Sequence, residues 1–307
     1  MNADIQKLTE SIGSVIVGKE KVIRCVIAGL LCNGHILIED VPGVGKTQLA
    51  AALSRSIGGS FNRIQLTPDI MPSDITGYSM VNQTTFELEY RAGAAMCNFL
   101  LADEINRTSP KTQSSLLEAM QEEKVSVDGV TYELPQPFMV IATQNPVELA
   151  GTYPLPEAQL DRFLMKLSLG YPDQEGEKHV IAAGSAVRRD PEVKAVATCE
   201  DIIRLQDEVN KIYLSDNVTD YILRLLSATR TAPELALGLS PRAGISLAKT
   251  AKALAFLSGR NYVLPDDVKS ILIPVCAHRL MLTREAKASG RTAAEVLDSI
   301  RKKVSVE

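Results

Sequence analysis

Two groups of residues in this chain have the types and spacing for phosphate chemistry. The first is Pro42-Gly43-Val44-Gly45-Lys46-Thr47, preceded by the apolar run Ile36, Leu37 and Ile38 and followed by Gln48-Leu49-Ala50-Ala51-Ala52-Leu53 with helical periodicity. Strand, loop and helix in that order form a phosphate loop. Gly43 and Gly45 let backbone N–H groups turn inward on a polyphosphate, with Val44, Gln48 and the positive end of the helix completing the cradle. Lys46 would reach the β and γ phosphates, and the Thr47 hydroxyl would ligate Mg²⁺. Asp40 replaces the first glycine of the usual G-x-x-x-x-G-K-[ST] pattern. That position opens the loop and does not touch phosphate, so the match is weakened and its chemistry kept. The competing reading is a glycine-rich turn before a helix, against which stand the flanking strand and helix.

The second group ends the apolar run Cys97-Asn98-Phe99-Leu100-Leu101-Ala102 with Asp103-Glu104, about 55 residues after the loop. A continuous apolar run marks a strand of a buried parallel sheet, whose C-terminal end is where ligands bind in doubly wound folds. Asp103 would hold Mg²⁺ directly or through water, and Glu104 would act as general base toward the attacking water. Such a pair alone is more often a solvated turn; its distance from a phosphate loop makes the difference. Phe138 to Asn145 is another buried strand ending in a polar amide, and Asn145 could bond the γ-phosphate or orient the water. Two arginines are weaker candidates. Arg162, before the apolar strand Leu164 to Leu169, reads by itself as a surface residue. Arg242 follows the Ser240-Pro241 cap in a helix's first turn, where a cation opposes the dipole unless an anion is near, at a cost of only tenths of a kcal/mol.

The elements that must position these groups can be read along the chain. An amphipathic helix over Asp4 to Ser14 and a second over Lys21 to Cys32 flank Ile16-Val17-Gly18-Lys19-Glu20, and Ile16, Val17 and Gly18 either pack on an adenine or serve as ordinary core and turn. Phe61 to Leu66 alternates as a strand. Ile75 to Ala92 reads as a small hairpin with Asn82-Gln83-Thr84 at its turn, and Val125 to Tyr132 as a hairpin around Asp128-Gly129. Pro110 to Glu122 is helical between them. After Tyr171-Pro172-Asp173 helices dominate: Gln174 to Val187, Cys199 to Ile212, Asp216 to Arg230, Pro241 to Ser258, Pro265 to Leu280 and one near Thr292 to Val304. Arg188 to Ala197 reads as a polar linker.

Composition limits the remaining choices. At 307 residues the chain supports one large or two moderate domains, and 45% hydrophobic with 23% charged residues is ordinary for a globular protein. The balance of 33 basic and 37 acidic residues argues against coating nucleic acid or an anionic membrane. Five cysteines, scattered and never as C-x-x-C, indicate neither a zinc site nor a disulfide framework. The start MNADIQKLTE lacks a signal pattern, and no apolar run approaches a membrane span, so a cytoplasmic protein without membrane insertion is expected.

Together these residues resemble the AAA+ ATPases, and more closely the MoxR family. The resemblance rests on EDVPGVGKT, LLADEINRTSPKTQSSLLEAMQE, VIATQNPVELAGTYPLPEAQLDRF and LGLSPRAGISLAKTAKA, four linked motifs in order over nearly the whole chain. It implies an αβα nucleotide-binding domain with a parallel sheet over 1–172 and an all-α lid over 173–307. It also implies Lys46 and Thr47 as the Walker A pair, Asp103 and Glu104 as Walker B, Asn145 as sensor 1, Arg242 as sensor 2 and Arg162 as an arginine finger entering a neighbour's site. The two hairpins look like the insertions of the clade containing magnesium chelatases. ATP and Mg²⁺ follow as cofactors, and a homo-oligomeric, hexameric ring as the assembly. Members are thought to act as chaperone-like ATPases on client proteins, often ones with von Willebrand factor A domains. Two alternatives keep the motifs: an ATP-controlled assembly scaffold, and a nucleic-acid motor, the latter disfavoured by the acidic balance.

Overall fold

The computed structural model describes residues 3–146, 151–171, 178 and 193–306. The expected helix Gln174 to Val187 apart from residue 178, the first half of the linker Arg188 to Ala197 and the division between residues 172 and 173 lie outside the described residues.

Five parallel strands form the central sheet: β1 (Ile36–Glu39), β2 (Phe61–Gln65), β5 (Phe99–Asp103), β8 (Met139–Gln144) and β9 (Met165–Leu167), in the spatial order β2-β5-β8-β1-β9. Parallel pairing needs crossovers, and the helices that supply them cover both faces of the sheet. The period of two along each strand sorts side chains between the faces. Ile36, Ile38, Phe99, Leu101, Met139 and Ile141 enter one core; Leu37, Leu100, Ala102, Val140 and Ala142 enter the other.

The first core is bounded by α1 (Ala3–Gly13), α2 (Glu20–Leu31) and α3 (Lys46–Ile57), and it runs on without a break into the C-terminal helices. The second lies under α4 (Pro72–Thr76) and α5 (Pro110–Glu122). Helix α5 starts where Ser109 accepts the Thr112 N–H and Pro110 occupies the first turn, and it stops at Glu123, whose φ of +53° leaves the helical region. Two hairpins stand off the sheet, β3 (Tyr78–Val81) with β4 (Leu88–Arg91), and β6 (Lys124–Val127) with β7 (Val130–Glu133). Tyr90 and Tyr132 stack between them at 3.9 Å. The first hairpin is shorter than expected, because Ile75 is buried in α4 and not paired in a strand.

A short α6 (Glu157–Leu160) precedes β9, and C-terminal to residue 193 the structure is helical: α7 (Cys199–Asn210), α8 (Asp216–Arg230), α9 (Pro241–Leu257), α10 (Pro265–Cys276), a short α11 (Arg284–Ala288) and α12 (Ala293–Lys303). Helix α10 is shorter than the expected span to Leu280. Pro274 has no N–H to continue the ladder, and a 3₁₀ turn, Ala277–Arg279, takes over. Periodicity did not suggest the two-stranded ribbon in which β10 (Leu235–Leu237), ahead of α9, pairs with β11 (Met281–Leu282), just after that turn. The α/β fold with a parallel sheet and a helical C-terminal region stands as read from the sequence.

Candidate active site

The loop after β1 turns at Gly43 and Gly45, with φ of +88° and +96°, conformations that L side chains rarely adopt. Gly45 is the N-cap of α3, so Lys46 opens the helix two residues earlier than periodicity suggested. No side chain caps this terminus. Its N–H groups therefore face a cavity of about 380 Å³. One wall of that cavity is Gly43, Val44, Gly45, Lys46, Thr47 and Gln48; the other carries Arg63, Asp103, Glu104, Thr143 and Asn145. Lys46 donates to the Asp40 carbonyl at 2.8 Å.

Asp40 is a fixed part of this loop, not a gap in its pattern. Its buried carboxylate accepts from Ser168 Oγ at 2.8 Å, Leu169 N at 2.5 Å and Gly170 N at 3.3 Å. A glycine there could not tie the loop to the end of β9.

The carboxylate pair sits at the end of β5, as its apolar run implies. Asp103 is buried, accepting from Arg63 Nε at 2.8 Å on one oxygen and from the Thr143 hydroxyl at 3.1 Å on the other. Glu104 leaves the strand in the left-handed region, φ +57°, and its N–H donates to Thr143 Oγ1 at 2.9 Å. Its side chain pairs with Arg107 at 3.0 Å. Asn145, just past β8, is buried at the floor of the same cavity.

Arg162 and Arg242 are elsewhere. Both line a second cavity of about 320 Å³, together with Cys32, Asn33, Gly34 and His35, which precede β1, whereas the phosphate loop follows it. The two arginines thus stand at the opposite end of β1 from the phosphate loop, and neither lines the cavity at that loop. The anion that its place in the first turn of α9 calls for is Asp161, at 3.6 Å. Asp161 also takes the buried Arg279 at 2.7 Å. Arg162 has no hydrogen-bond or ion-pair partner for its guanidinium among the described residues. Ile16 belongs to the core, while Val17 is exposed, and neither Val17 nor Gly18 lines the cavity at the phosphate loop.

Sequence reasoning missed Arg63, Arg107 and Thr143. One signal was present for Thr143: a hydroxyl that directly continues the apolar run Met139 to Ala142 is a buried polar group that must find partners. For Mg²⁺ the donor set fits. Thr47 and Asp103 place a hydroxyl and a carboxylate on facing walls of one cavity, and Mg²⁺ takes one or two such protein oxygens with phosphate and water. Among the described residues, no helix is long and apolar enough to cross a membrane.

Residues 35–165 match the model of the AAA ATPase family associated with various cellular activities, and residues 227–300 match that of the AAA lid domain. The chain is 50% identical to YeaC of Bacillus subtilis, covering 98% of this chain and 94% of that one. It is 41% identical to Chaperone MoxR1 of Mycobacterium tuberculosis, covering 95% and 79%, and 30% identical to Protein MoxR of Paracoccus denitrificans, covering 89% and 87%. A crystal structure of a Cytophaga hutchinsonii protein, 40% identical, superposes with a TM-score of 0.92 over 98% of this chain and 94% of that one.

Proposed function

This chain belongs to the MoxR family of AAA+ ATPases, and from that premise we propose that it hydrolyses ATP as a homo-oligomeric, hexameric ring to remodel, assemble or activate client proteins. The observation that carries the reading is the convergence of Lys46, Thr47, Asp103, Glu104 and Asn145 on one cavity. The N–H groups of the loop and of the first turn of α3 cradle the β and γ phosphates, and Lys46 swings from the Asp40 carbonyl to neutralise them. Thr47 and Asp103 would hold Mg²⁺, which when bound would supply positive charge against the phosphate oxygens. Glu104 takes a proton from the attacking water, for which it must part from Arg107. That pair is half exposed, so separating it costs at most about 1 kcal/mol. Asn145 holds the γ-phosphate or orients the water with a neutral amide.

Phosphoryl transfer needs further positive charge beside the γ-phosphate. Among the described residues Arg162 has no partner for its guanidinium, and it stands at the opposite end of β1 from the phosphate loop, which suits delivery to a neighbouring subunit. Arg242 shares its cavity and would be presented with it, on a lid formed by residues 173–307 over residues 1–172. The name Chaperone MoxR1 of one relative supports a chaperone-like role. Clients with von Willebrand factor A domains follow from the family resemblance alone.

Mixed rings test the shared site. Arg162→Ala and Glu104→Gln should each be nearly inactive, while a mixture contains interfaces where an intact Glu104 meets an intact Arg162 and turnover returns. Mixed rings, shown by crosslinking to hold both variants, that stay as inactive as either parent would overturn the shared site.

A further inference from the structure

We propose that Thr143 is the positioning residue that sets Asp103 and Glu104 relative to one another, so that one hydroxyl fixes both the metal-holding carboxylate and the general base. The inference rests on the reading of this cavity as an ATP-hydrolysing site.

Strands β5 and β8 run parallel with Leu101 opposite Ile141 and Ala102 opposite Ala142, so the next step of the same register brings Asp103 and Thr143 level at the strand ends. Thr143 is only 1% exposed. A hydroxyl has one donor and two acceptor lone pairs, and a carboxylate only accepts, which fixes the direction of the network. Thr143 Oγ1 donates to Asp103 Oδ1 at 3.1 Å and accepts the Glu104 N–H at 2.9 Å. Hydrogen bonds chained in this way polarise one another.

The backbone supplies the second half of the argument. Glu104 has φ +57°, a conformation that a non-glycine residue keeps only where its surroundings over-determine it. The bond from its N–H to Thr143 holds it there from the strand side while its carbonyl accepts the Arg107 N–H at 2.9 Å, and the carboxylate of Glu104 leaves the chain from that held position. Asp103 is held on its other oxygen by Arg63, whose side chain is 51% exposed and so free to give way. Thr143 is the buried, stationary partner. Were Arg63 displaced from Oδ2, Thr143 would still hold Oδ1 in its direction.

The test is Thr143→Val, which removes the oxygen at nearly constant shape, beside Thr143→Ser, which keeps it. Phosphate release should show kcat lowered about 10- to 100-fold in Thr143→Val, as for other residues that orient a metal ligand, with KM changed far less. Binding of a fluorescent ATP analogue, titrated against Mg²⁺, should need a higher Mg²⁺ concentration in Thr143→Val, with binding in EDTA unchanged. Thr143→Ser should follow the wild type in both measurements. If Thr143→Val does not fold, Thr143→Ser and Thr143→Ala, which differ by one oxygen, carry the comparison. A Thr143→Val protein with wild-type kcat and Mg²⁺ requirement overturns the proposal, and so does a Thr143→Ser as damaged as Thr143→Val, because packing would then explain the loss. A wild-type ring that releases no phosphate would instead overturn the hydrolase reading, while the Mg²⁺ titration still tests Thr143 against Asp103.

Discussion

Arg279, in the 3₁₀ turn after α10, donates through Nε to Asp161 Oδ1 at 2.7 Å, joining the C-terminal helices to the segment that carries Arg162. The same guanidinium reaches the carbonyls of Phe163 at 2.8 Å and Leu164 at 3.2 Å, and that of Val275. Its side chain is 4% exposed, so these bonds are made away from water.

Removing Arg279 takes from Asp161 its nearer charge partner, leaving Arg242 at 3.6 Å, and strips the carbonyls of Phe163, Leu164 and Val275 of this buried donor. Arg279→Ala should therefore lower stability by about 3 kcal/mol. Urea unfolding followed by circular dichroism measures it. A loss under about 1 kcal/mol would mean that the pair is solvated in solution.

Lys46 and Glu104 line one cavity but should fail differently. Lys46→Ala removes charge that meets phosphate in ground and transition states alike, and should lose nucleotide binding as well as turnover. Glu104→Gln keeps the shape and loses the base, so binding should survive while turnover falls. Fluorescent-ATP titration beside phosphate release separates the two, and undiminished affinity in Lys46→Ala would remove its assignment.

Asp40→Asn should loosen the phosphate loop. The carboxylate accepts from three donors on Ser168, Leu169 and Gly170, and an amide can match these only in part. Hydrogen bonds to a charged group contribute about 1.5–3 kcal/mol each, so a measurable fall in melting temperature is expected together with weaker ATP binding. Asp40→Gly, which restores the common loop pattern, should be worse still. An unchanged melting temperature in both variants would contradict the tether.

His35 gives a pH dependence with a definite sign. Its Nε2 donates to the Met120 carbonyl at 2.8 Å and its Nδ1 accepts the Val140 N–H at 3.0 Å, so the buried ring is neutral, and burial brings its pKa from 6.5 down to about 4. The unfolded chain takes up a proton near pH 6.5 and the folded one only near pH 4. Stability is therefore full above pH 6.5 and declines by roughly 1 kcal/mol per unit as pH falls through that window. Buried His278, brought down to about 3, adds a decline of the same sign. In His35→Gln the slope of unfolding free energy between pH 6 and 4.5 should be shallower than in the wild type; equal slopes would assign the decline to other groups.

What the sequence determined by itself was whatever depends on neighbouring residues. A phosphate loop is a contiguous backbone shape, so Gly43, Gly45, Lys46 and Thr47 declare it without the rest of the chain. Buried parallel strands announce themselves as unbroken apolar runs, which is why Asp103, Glu104 and Asn145 could be placed at strand ends. Helix ends were legible at Ser109-Pro110 and Ser240-Pro241 because capping is local, whereas α10 ran on in the sequence reading past Cys276, where the 3₁₀ turn takes over. Tertiary structure decided the pairings between distant segments. Asp40 reads as a lost glycine until packing brings residues 168–170 onto its carboxylate. Arg242 has a cation's unfavourable place in a first turn, but only the seating of α9 against the loop before β1 makes Asp161 its counter-charge and turns it from the phosphate loop. Thr143 is one more residue of an apolar strand until the register of β5 on β8 sets its hydroxyl between two carboxylate residues some 40 positions away. Such partners are chosen by shape and burial summed over the whole core, and no window of sequence contains that sum.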